Sequence, residues 1–158
     1  MSDTRKIQLI HVAELDYNLK ENLIPQTKEK CETDINPGFG FKIKINEDDS
    51  TLSIEATAFY ANKAGVEVAD SRFIYVLYFE NMDTIIKKNQ EESSLYIPDE
   101  IMDVVIQEAF VTGRMFLSSH VKDTALKDLY LPFNGASSLI KQVKSQTKKK
   151  RKETKDED

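Results

Sequence analysis

The stretch IPDEIMDVVIQEAFVTGRMFL, residues 97–117, decides the fold of this 158-residue chain because it predicts one long helix with two apolar sides. Pro98 suits the first turn of a helix, where its missing N–H breaks no hydrogen bond. Asp99 and Glu100 follow, where the helix dipole favours acidic side chains. Apolar side chains at helical spacing then form one broad stripe. That stripe consists of Met102, Val105, Ile106, Ala109, Phe110, Gly113 and Leu117.

A second, offset apolar stripe runs along the same helix and leaves only a narrow polar strip. A surface helix needs one apolar stripe, so we predict that this helix is buried between subunits. Ala109 and Gly113 lie four residues apart and would let another helix approach closely. The alternative is a central helix wrapped by its own chain, which is difficult for so short a chain. The predicted oligomer interface consists of Ile101, Val104, Ala109, Val111, Gly113 and Met115.

The residues before the helix predict four strands, over 5–12, 39–46, 51–61 and about 66–80. Apolar and polar residues alternate in the second and third strands, as in strands buried on one face. The fourth strand is apolar on both faces, so both faces should be covered, by this chain or by another. We therefore expect an α+β fold, with a four-stranded antiparallel Greek-key-like sheet followed by a long helix and a short C-terminal helix.

Turn-forming and polar residues mark the connections between these elements. The predicted connections are 20–38, 47–50, 62–65, 81–96 and 120–133. Asn134 can cap the short final helix, which extends to about Val143. This organisation predicts a single α+β domain over residues 1–143 and a disordered tail over residues 144–158, basic with an acidic end.

The charge of the chain is divided between body and tail. Residues 141–158 hold eight of the 22 Lys and Arg residues and four of the 27 Asp and Glu residues, so residues 1–140 carry a net charge of −9. A body this acidic repels phosphate backbones, which makes nucleic-acid binding by the domain itself unfavourable. The basic run Lys148–Lys152 favours either a solubilising tail or a contact with RNA, a ribosome or an anionic membrane surface.

The sequence contains no constellation typical of catalysis or of metal binding. Neither His11 nor His120 stands at metal-ligand spacing from a cysteine or carboxylate, and Gly38-Phe39-Gly40 lacks the lysine of a phosphate loop. Ser118-Ser119-His120 places hydroxyls beside an imidazole, but adjacency in sequence does not make a triad. We therefore expect a non-enzyme without cofactor or metal.

The cellular compartment is predicted from three features that the sequence lacks: a disulfide, a membrane-spanning run and an apolar segment near its start. Cys31 is the only cysteine, so no intramolecular disulfide can form, and a reduced thiol fits a reducing cytoplasm. No apolar run approaches the length that spans a bilayer, and no apolar segment follows the polar start at Met1. The expectation is a cytoplasmic protein without a membrane span.

The order of these elements resembles the SecB family of export chaperones over about residues 5–142. The most specific part is Ile97-Pro98-Asp99, the long helix, and the later segment Leu129-Tyr130-Leu131-Pro132-Phe133-Asn134. The family likewise has a helix that begins with proline, then a Leu/Pro/Phe/Asn segment and a last helix.

The resemblance implies a function. Family members are homotetramers, dimers of dimers, whose long helices pack between two layers of sheet. They bind unfolded, pre-export polypeptides in apolar grooves without ATP, and burial of apolar surface accepts many sequences because it is non-directional. Each residue that this resemblance assigns to polypeptide binding could equally be an ordinary core residue. The implied polypeptide-binding residues are Leu23, Ile24, Phe39, Phe41, Leu131, Phe133 and Leu139.

Two departures from the family weaken the export role. The family typically ends in an acidic, partly apolar tail that contacts the translocation motor, whereas this tail is mostly basic. The acidic motor-binding sites are matched only by Glu14 and Asp16, and Ile74 and Val76 stand where an acid is expected. Related chaperones serve one dedicated partner, including the antitoxin of a toxin–antitoxin pair, and that alternative fits these departures.

Overall fold

Four long antiparallel strands form the main sheet of the computed structural model, which describes residues 7–89, 94–129 and 140–141. The strands are β1 (Ile7–Leu19), β2 (Ile35–Asn46), β3 (Thr51–Asn62) and β4 (Glu67–Phe79). Their order in the sheet is β1-β4-β3-β2, so three consecutive strands form hairpins and β1 returns beside β4. This is the predicted Greek-key-like arrangement.

The two tight turns of the sheet lie where the sequence predicts them. Between β2 and β3, the Asn46 side-chain amide donates to the Asp49 carboxylate at 2.7 Å. Between β3 and β4, the Asn62 side-chain oxygen accepts the Ala64 and Val66 N–H groups at 3.1 and 3.0 Å. Gly65 has a φ of +80°, a left-handed conformation that favours glycine. Local side-chain contacts therefore support both turns.

The long helix α3 (Asp99–Val121) lies across β3 and β4. The broad apolar stripe predicted for it faces the sheet, as expected, except that Met102 is only half-buried. A helix that covers the two central strands leaves both edges of the sheet partly open. The buried helix residues are Val105, Ile106, Ala109, Phe110, Gly113, Leu117 and Val121.

The first strand is longer than predicted, because it continues from residue 12 to Leu19. Its register against β4 shifts twice, between Leu9 and His11 and between Glu14 and Asp16. A bulge inserts one residue and reverses the faces of those that follow, so it destroys the period-two pattern by which a strand is recognised.

The predicted crossover at residues 20–38 is more ordered than a polar connection. It contains the 3₁₀ turn Glu21–Leu23 and the helix α1 (Lys28–Asp34), whose first turn is capped by the Thr27 side chain. Strand β2 then begins at residue 35 and includes Pro37, which an edge strand tolerates because proline donates no N–H.

The predicted polar bridge at 81–96 also contains regular structure. It holds the single-turn helix α2 (Met82–Ile85) and the short antiparallel strands β5 (Lys87–Asn89) and β6 (Ser94–Tyr96). Residues 140 and 141, within the predicted final helix, are helical. The rest of that helix and the predicted tail at 144–158 lie outside the described residues.

One end of the core is closed by the crossover. Cys31 and Ile35 pack with Tyr60 and Leu126, which belongs to the 3₁₀ turn after α3. The Tyr60 hydroxyl donates to the Leu129 carbonyl oxygen, so the chain leaving α3 is fastened to the sheet.

Because Cys31 is only 1% exposed, its thiol should react slowly with a disulfide reagent while the protein is folded. Burial raises its pKa, and Asp34 raises it further, so little reactive thiolate forms near neutral pH. We expect labelling to be more than about tenfold slower than that of a free cysteine. Since Cys31 is the only thiol, absorbance at one wavelength measures it directly, with the urea-unfolded chain as control. Labelling at the rate of free cysteine would contradict this burial.

Candidate functional site

The second apolar stripe of α3 points away from the sheet and is open to solvent. Val104 is 50% exposed, Met115 is 70% exposed, and Val111 is also exposed. Ile101, at the start of the stripe, is half-buried. Three large apolar side chains therefore lie in a row on a helix face that nothing in the described part of the chain covers.

Strand β1 presents further apolar side chains beside this helix. It is an edge strand, paired only with β4 among the described residues. Leu9 lies opposite Leu77 and Val12 opposite Tyr75, so both belong to the face on which α3 packs. The exposed apolar residues of the strand are Leu9, Ile10, Val12, Leu15 and Tyr17.

A groove of about 600 Å³ separates the start of α3 from β1 and β4. Its floor is apolar, and Lys87, Glu100 and Glu108 add charges to its lining. Burial and the nearby Glu108 raise the pKa of the Tyr75 hydroxyl, so the phenol remains neutral in the groove. We call the groove and its flanks the α3–β1 surface. Its apolar members include Leu9, Val12, Ile101, Val104, Val111 and Met115.

Ala109 and Gly113 do not belong to this surface, contrary to the prediction that they would face another helix. Both are buried against the sheet of their own chain. A Cβ atom at Gly113 would lie 2.9 Å from the Phe73 ring and 3.1 Å from the Ala58 Cβ. The small residues thus allow close approach of helix to sheet, and spacing alone cannot identify the partner.

The second candidate surface lies at the crossover and along β2. Leu23 is exposed, whereas Ile24 is half-buried against the core near Cys31. Phe39 is half-buried with its ring centroid 5.3 Å from that of Phe110, and Phe41 lies 6.3 Å from Phe39. Leu23 therefore offers apolar surface, whereas Ile24, Phe39 and Phe41 are half-buried and also pack against the core. Three further predicted binding residues, Leu131, Phe133 and Leu139, lie outside the described residues.

A polar cluster joins β1 to the end of α3. His120 Nε2 lies 2.7 and 2.8 Å from the two carboxylate oxygens of Glu14. The Ser71 hydroxyl donates to Glu14 at 3.0 Å, and the Tyr17 ring stacks on His120 with centroids 3.8 Å apart. Ser71 contacts the carboxylate and not the imidazole, so this is not a nucleophile activated by a histidine. Its geometry suits a structural role in which the Glu14–His120 hydrogen bond fastens β1 to the end of α3.

Sequence reasoning missed this cluster because Glu14 and His120 are 106 residues apart. It also grouped Glu14 with Asp16 as matches to motor-binding acids. The register shift between them places Glu14 opposite buried Phe73 and Asp16 opposite exposed Arg72, so the two acids lie on opposite faces of the sheet. They cannot form one acidic site on a single face.

Removing the imidazole in His120→Ala should lower the free energy of unfolding by about 1.5 kcal/mol, because a mostly buried carboxylate loses a charge-assisted hydrogen bond. His11→Ala is the matched control, since His11 is exposed and should change stability by less than about 0.5 kcal/mol. Urea unfolding measures both. A double-mutant cycle with Glu14→Gln should show coupling, and equal effects of the two histidine variants would contradict the fastening role.

Within the described residues, no cluster of His, Cys, Asp or Glu side chains has the geometry to hold a metal ion. No helix among those residues is long and apolar enough to cross a membrane.

Comparison with known proteins identifies the fold. No protein-family model matches the sequence, and no curated protein matches it significantly. Among solved structures, it is similar to the SecB-like chaperone Rv1957 of Mycobacterium tuberculosis in complex with a ChAD peptide from the Rv1956 HigA1 antitoxin. The two chains are 13% identical with a TM-score of 0.50, and the match covers 82% of this chain and 91% of that chain. The chain therefore has the SecB-like fold that its order of elements predicts.

Proposed function

We propose that this chain is an ATP-independent chaperone that assembles with copies of itself and holds unfolded polypeptides on apolar surface. The observation that carries the proposal is the pair of exposed apolar surfaces on one small domain. A monomer of this size rarely leaves such contiguous apolar patches open unless they bind another polypeptide. Neither assembly nor holding needs a cofactor, and the proposal includes no catalytic step.

Assembly is assigned to the α3–β1 surface, with a second copy of the chain as its occupant. The outer stripe of α3 presents the apolar residues Val104, Val111 and Met115. The charged residues Glu100 and Glu108 lie beside it in the groove, which suits an interface with an apolar centre and a charged rim. A helix with both faces covered agrees with the family arrangement of long helices between two sheet layers. A homotetramer, a dimer of dimers, is the proposed state.

Client binding is assigned to the crossover and the inner face of β2, where Leu23 is exposed and Phe41 is partly accessible. Predicted residues Leu131, Phe133 and Leu139 complete this proposed groove. Leu23→Gln tests the assignment because its exposed side chain contributes little to the core. Val66→Gln is the matched control, since Val66 is equally exposed at the β3–β4 turn.

The experiment follows the aggregation of a denatured client by light scattering, without nucleotide, alongside the native mass of the chain. The proposal predicts suppression of aggregation by an assembled species, weakened by Leu23→Gln and unchanged by Val66→Gln. A monomeric chain that leaves client aggregation unchanged would refute it.

A dedicated interaction module for one partner is the second candidate. It is favoured by the structural relative, which is described as bound to an antitoxin peptide. Purification from the native host separates the candidates, because a module yields one stoichiometric partner and a general chaperone yields many clients. Delivery to an export motor is left out of the proposal, since Glu14 and Asp16 face opposite sides of the sheet.

The proposed chaperone is cytoplasmic, with residues 1–143 as its domain and 144–158 as a solubilising tail. Deleting residues 144–158 tests the tail. A loss of salt-sensitive RNA or ribosome binding would assign the basic run to nucleic acid.

A further inference from the structure

The outer edge of β2 is a regular strand edge without a neighbour in the described part of the chain. Its pairing with β3 is continuous from Ile35 opposite Asn62 to Asn46 opposite Thr51, without a register shift. Alternate residues of such an edge direct N–H and C=O groups outward, ready to pair with another strand. The other edge, β1, is interrupted by two register shifts, which disfavour regular pairing.

The two faces of this edge differ in chemistry. Phe41, Ile43 and Ile45 are half-buried on the face that packs toward the core. Lys42 and Lys44 alternate with them and are exposed on the other face. Neither lysine forms an ion pair within residues 7–89, 94–129 and 140–141. Lys42 stands opposite Glu55 of β3, whose carboxylate lies 3.9 Å from Arg72, and Lys44 stands opposite Ser53. The edge thus joins an apolar row to two exposed positive charges on an acidic body.

We propose that the β2 edge selects extended polypeptide segments in which apolar residues alternate with acidic residues. A strand added beside β2 places its side chains alternately on the two faces, next to those of β2. Acids at two positions, separated by one residue, would then lie beside Lys42 and Lys44. The apolar residues between and around them would lie beside Phe41, Ile43 and Ile45. This inference rests on the proposed function and names the class of client.

Lys42 and Lys44 also disfavour the pairing of other strands with the β2 edge. Lysine on an edge strand discourages indiscriminate pairing, and a segment with acids removes that penalty while a basic segment increases it. A second copy of β2 would bring its own lysines to the same face, where like charges repel. The charge pattern therefore favours an acidic client segment over self-association at this edge.

Three labelled, capped nine-residue peptides with the centres Val-Glu-Val-Glu-Val, Val-Gln-Val-Gln-Val and Val-Lys-Val-Lys-Val test the selection by fluorescence anisotropy. At low salt, the glutamate peptide should bind about fivefold more tightly than the glutamine peptide, and the lysine peptide most weakly. High salt should reduce the differences. N-methylation of alternate backbone nitrogens in the glutamate peptide should abolish binding if the peptide adds as a strand.

Reversing the charge in the full chain with Lys42→Glu and Lys44→Glu should reverse the order of the peptides. Lys122→Glu with Lys127→Glu is the matched control, because it changes the net charge equally at exposed residues outside β2. Equal affinities for the three peptides would overturn the inference, and continued suppression of client aggregation would show that the proposed function survives. A changed native mass of the β2 variant would assign the edge to assembly and also overturn the inference.

Discussion

A variant in which Val104, Val111 and Met115 are all replaced by glutamine is expected to dissociate the proposed tetramer while remaining folded. The three side chains are exposed in the isolated chain and are not among its buried core residues. Glutamine is a good helix former and adds no charge. Buried in an interface, however, each change loses apolar burial and leaves an amide without a partner.

The expected effect on assembly is large. Each apolar side chain withdrawn from an interface contributes about 1.5 kcal/mol or more, so three of them weaken self-association by more than about a hundredfold. Sedimentation velocity should show a smaller species, while circular dichroism and urea unfolding of the dissociated chain should retain a cooperative transition. Val66→Gln with Tyr96→Gln is the matched control, because both residues are exposed and apolar outside the α3–β1 surface.

The result bears on the proposed function as well as on the interface. If the triple variant sediments like the unaltered assembly, the outer stripe of α3 is not the contact between copies. If it dissociates and still suppresses client aggregation, the client surface lies elsewhere, as proposed for the crossover and β2.

The sheet and the long helix could be predicted because their hydrophobic periods are regular. Residues 39–46 and 51–61 alternate with period two, and the stripe from Val105 to Leu117 repeats at helical spacing. In both cases one face is buried within the chain, so the pattern of the sequence reflects the packing directly. The second apolar stripe of α3 could also be predicted from the sequence. That a second copy of the chain covers this stripe stays a prediction.

The second half of β1 could not be predicted because the bulges near Ile10 and Leu15 interrupt its alternation. The helix α1 was missed for another reason: seven residues with one buried side chain, Cys31, show no apolar stripe. The fastening of Glu14 to His120 depends on tertiary contact, which no local pattern encodes.

Small residues show the same limit of local reasoning. The spacing of Ala109 and Gly113 correctly indicates a close approach, but a neighbouring helix and a neighbouring sheet require the same lack of side chain. Only the topology, with α3 across β3 and β4, decides that the partner is the chain's own sheet.

Gly113→Val should therefore destabilise the single chain, by about 3 kcal/mol in the free energy of unfolding. Its first added carbon would already lie 2.9 Å from Phe73 Cε1, 3.0 Å from Phe39 Cε2 and 3.1 Å from Ala58 Cβ. Phe73 and Ala58 are fully buried, so the neighbours cannot withdraw without opening the core. Valine is a better helix former than glycine, so a measured loss must come from crowding against the sheet.

Gly40→Val provides the comparison, because no atom of the described residues, apart from its two chain neighbours, lies within 4 Å of a Cβ atom built at Gly40. Valine suits an edge strand, and we expect stability within about 0.5 kcal/mol of the unaltered chain. Urea unfolding at several protein concentrations measures both variants and separates folding from assembly. A loss at Gly113 that persists at low concentration places the crowding inside one chain, whereas a loss that appears only when copies associate would restore the helix–helix contact that the small residues first suggested.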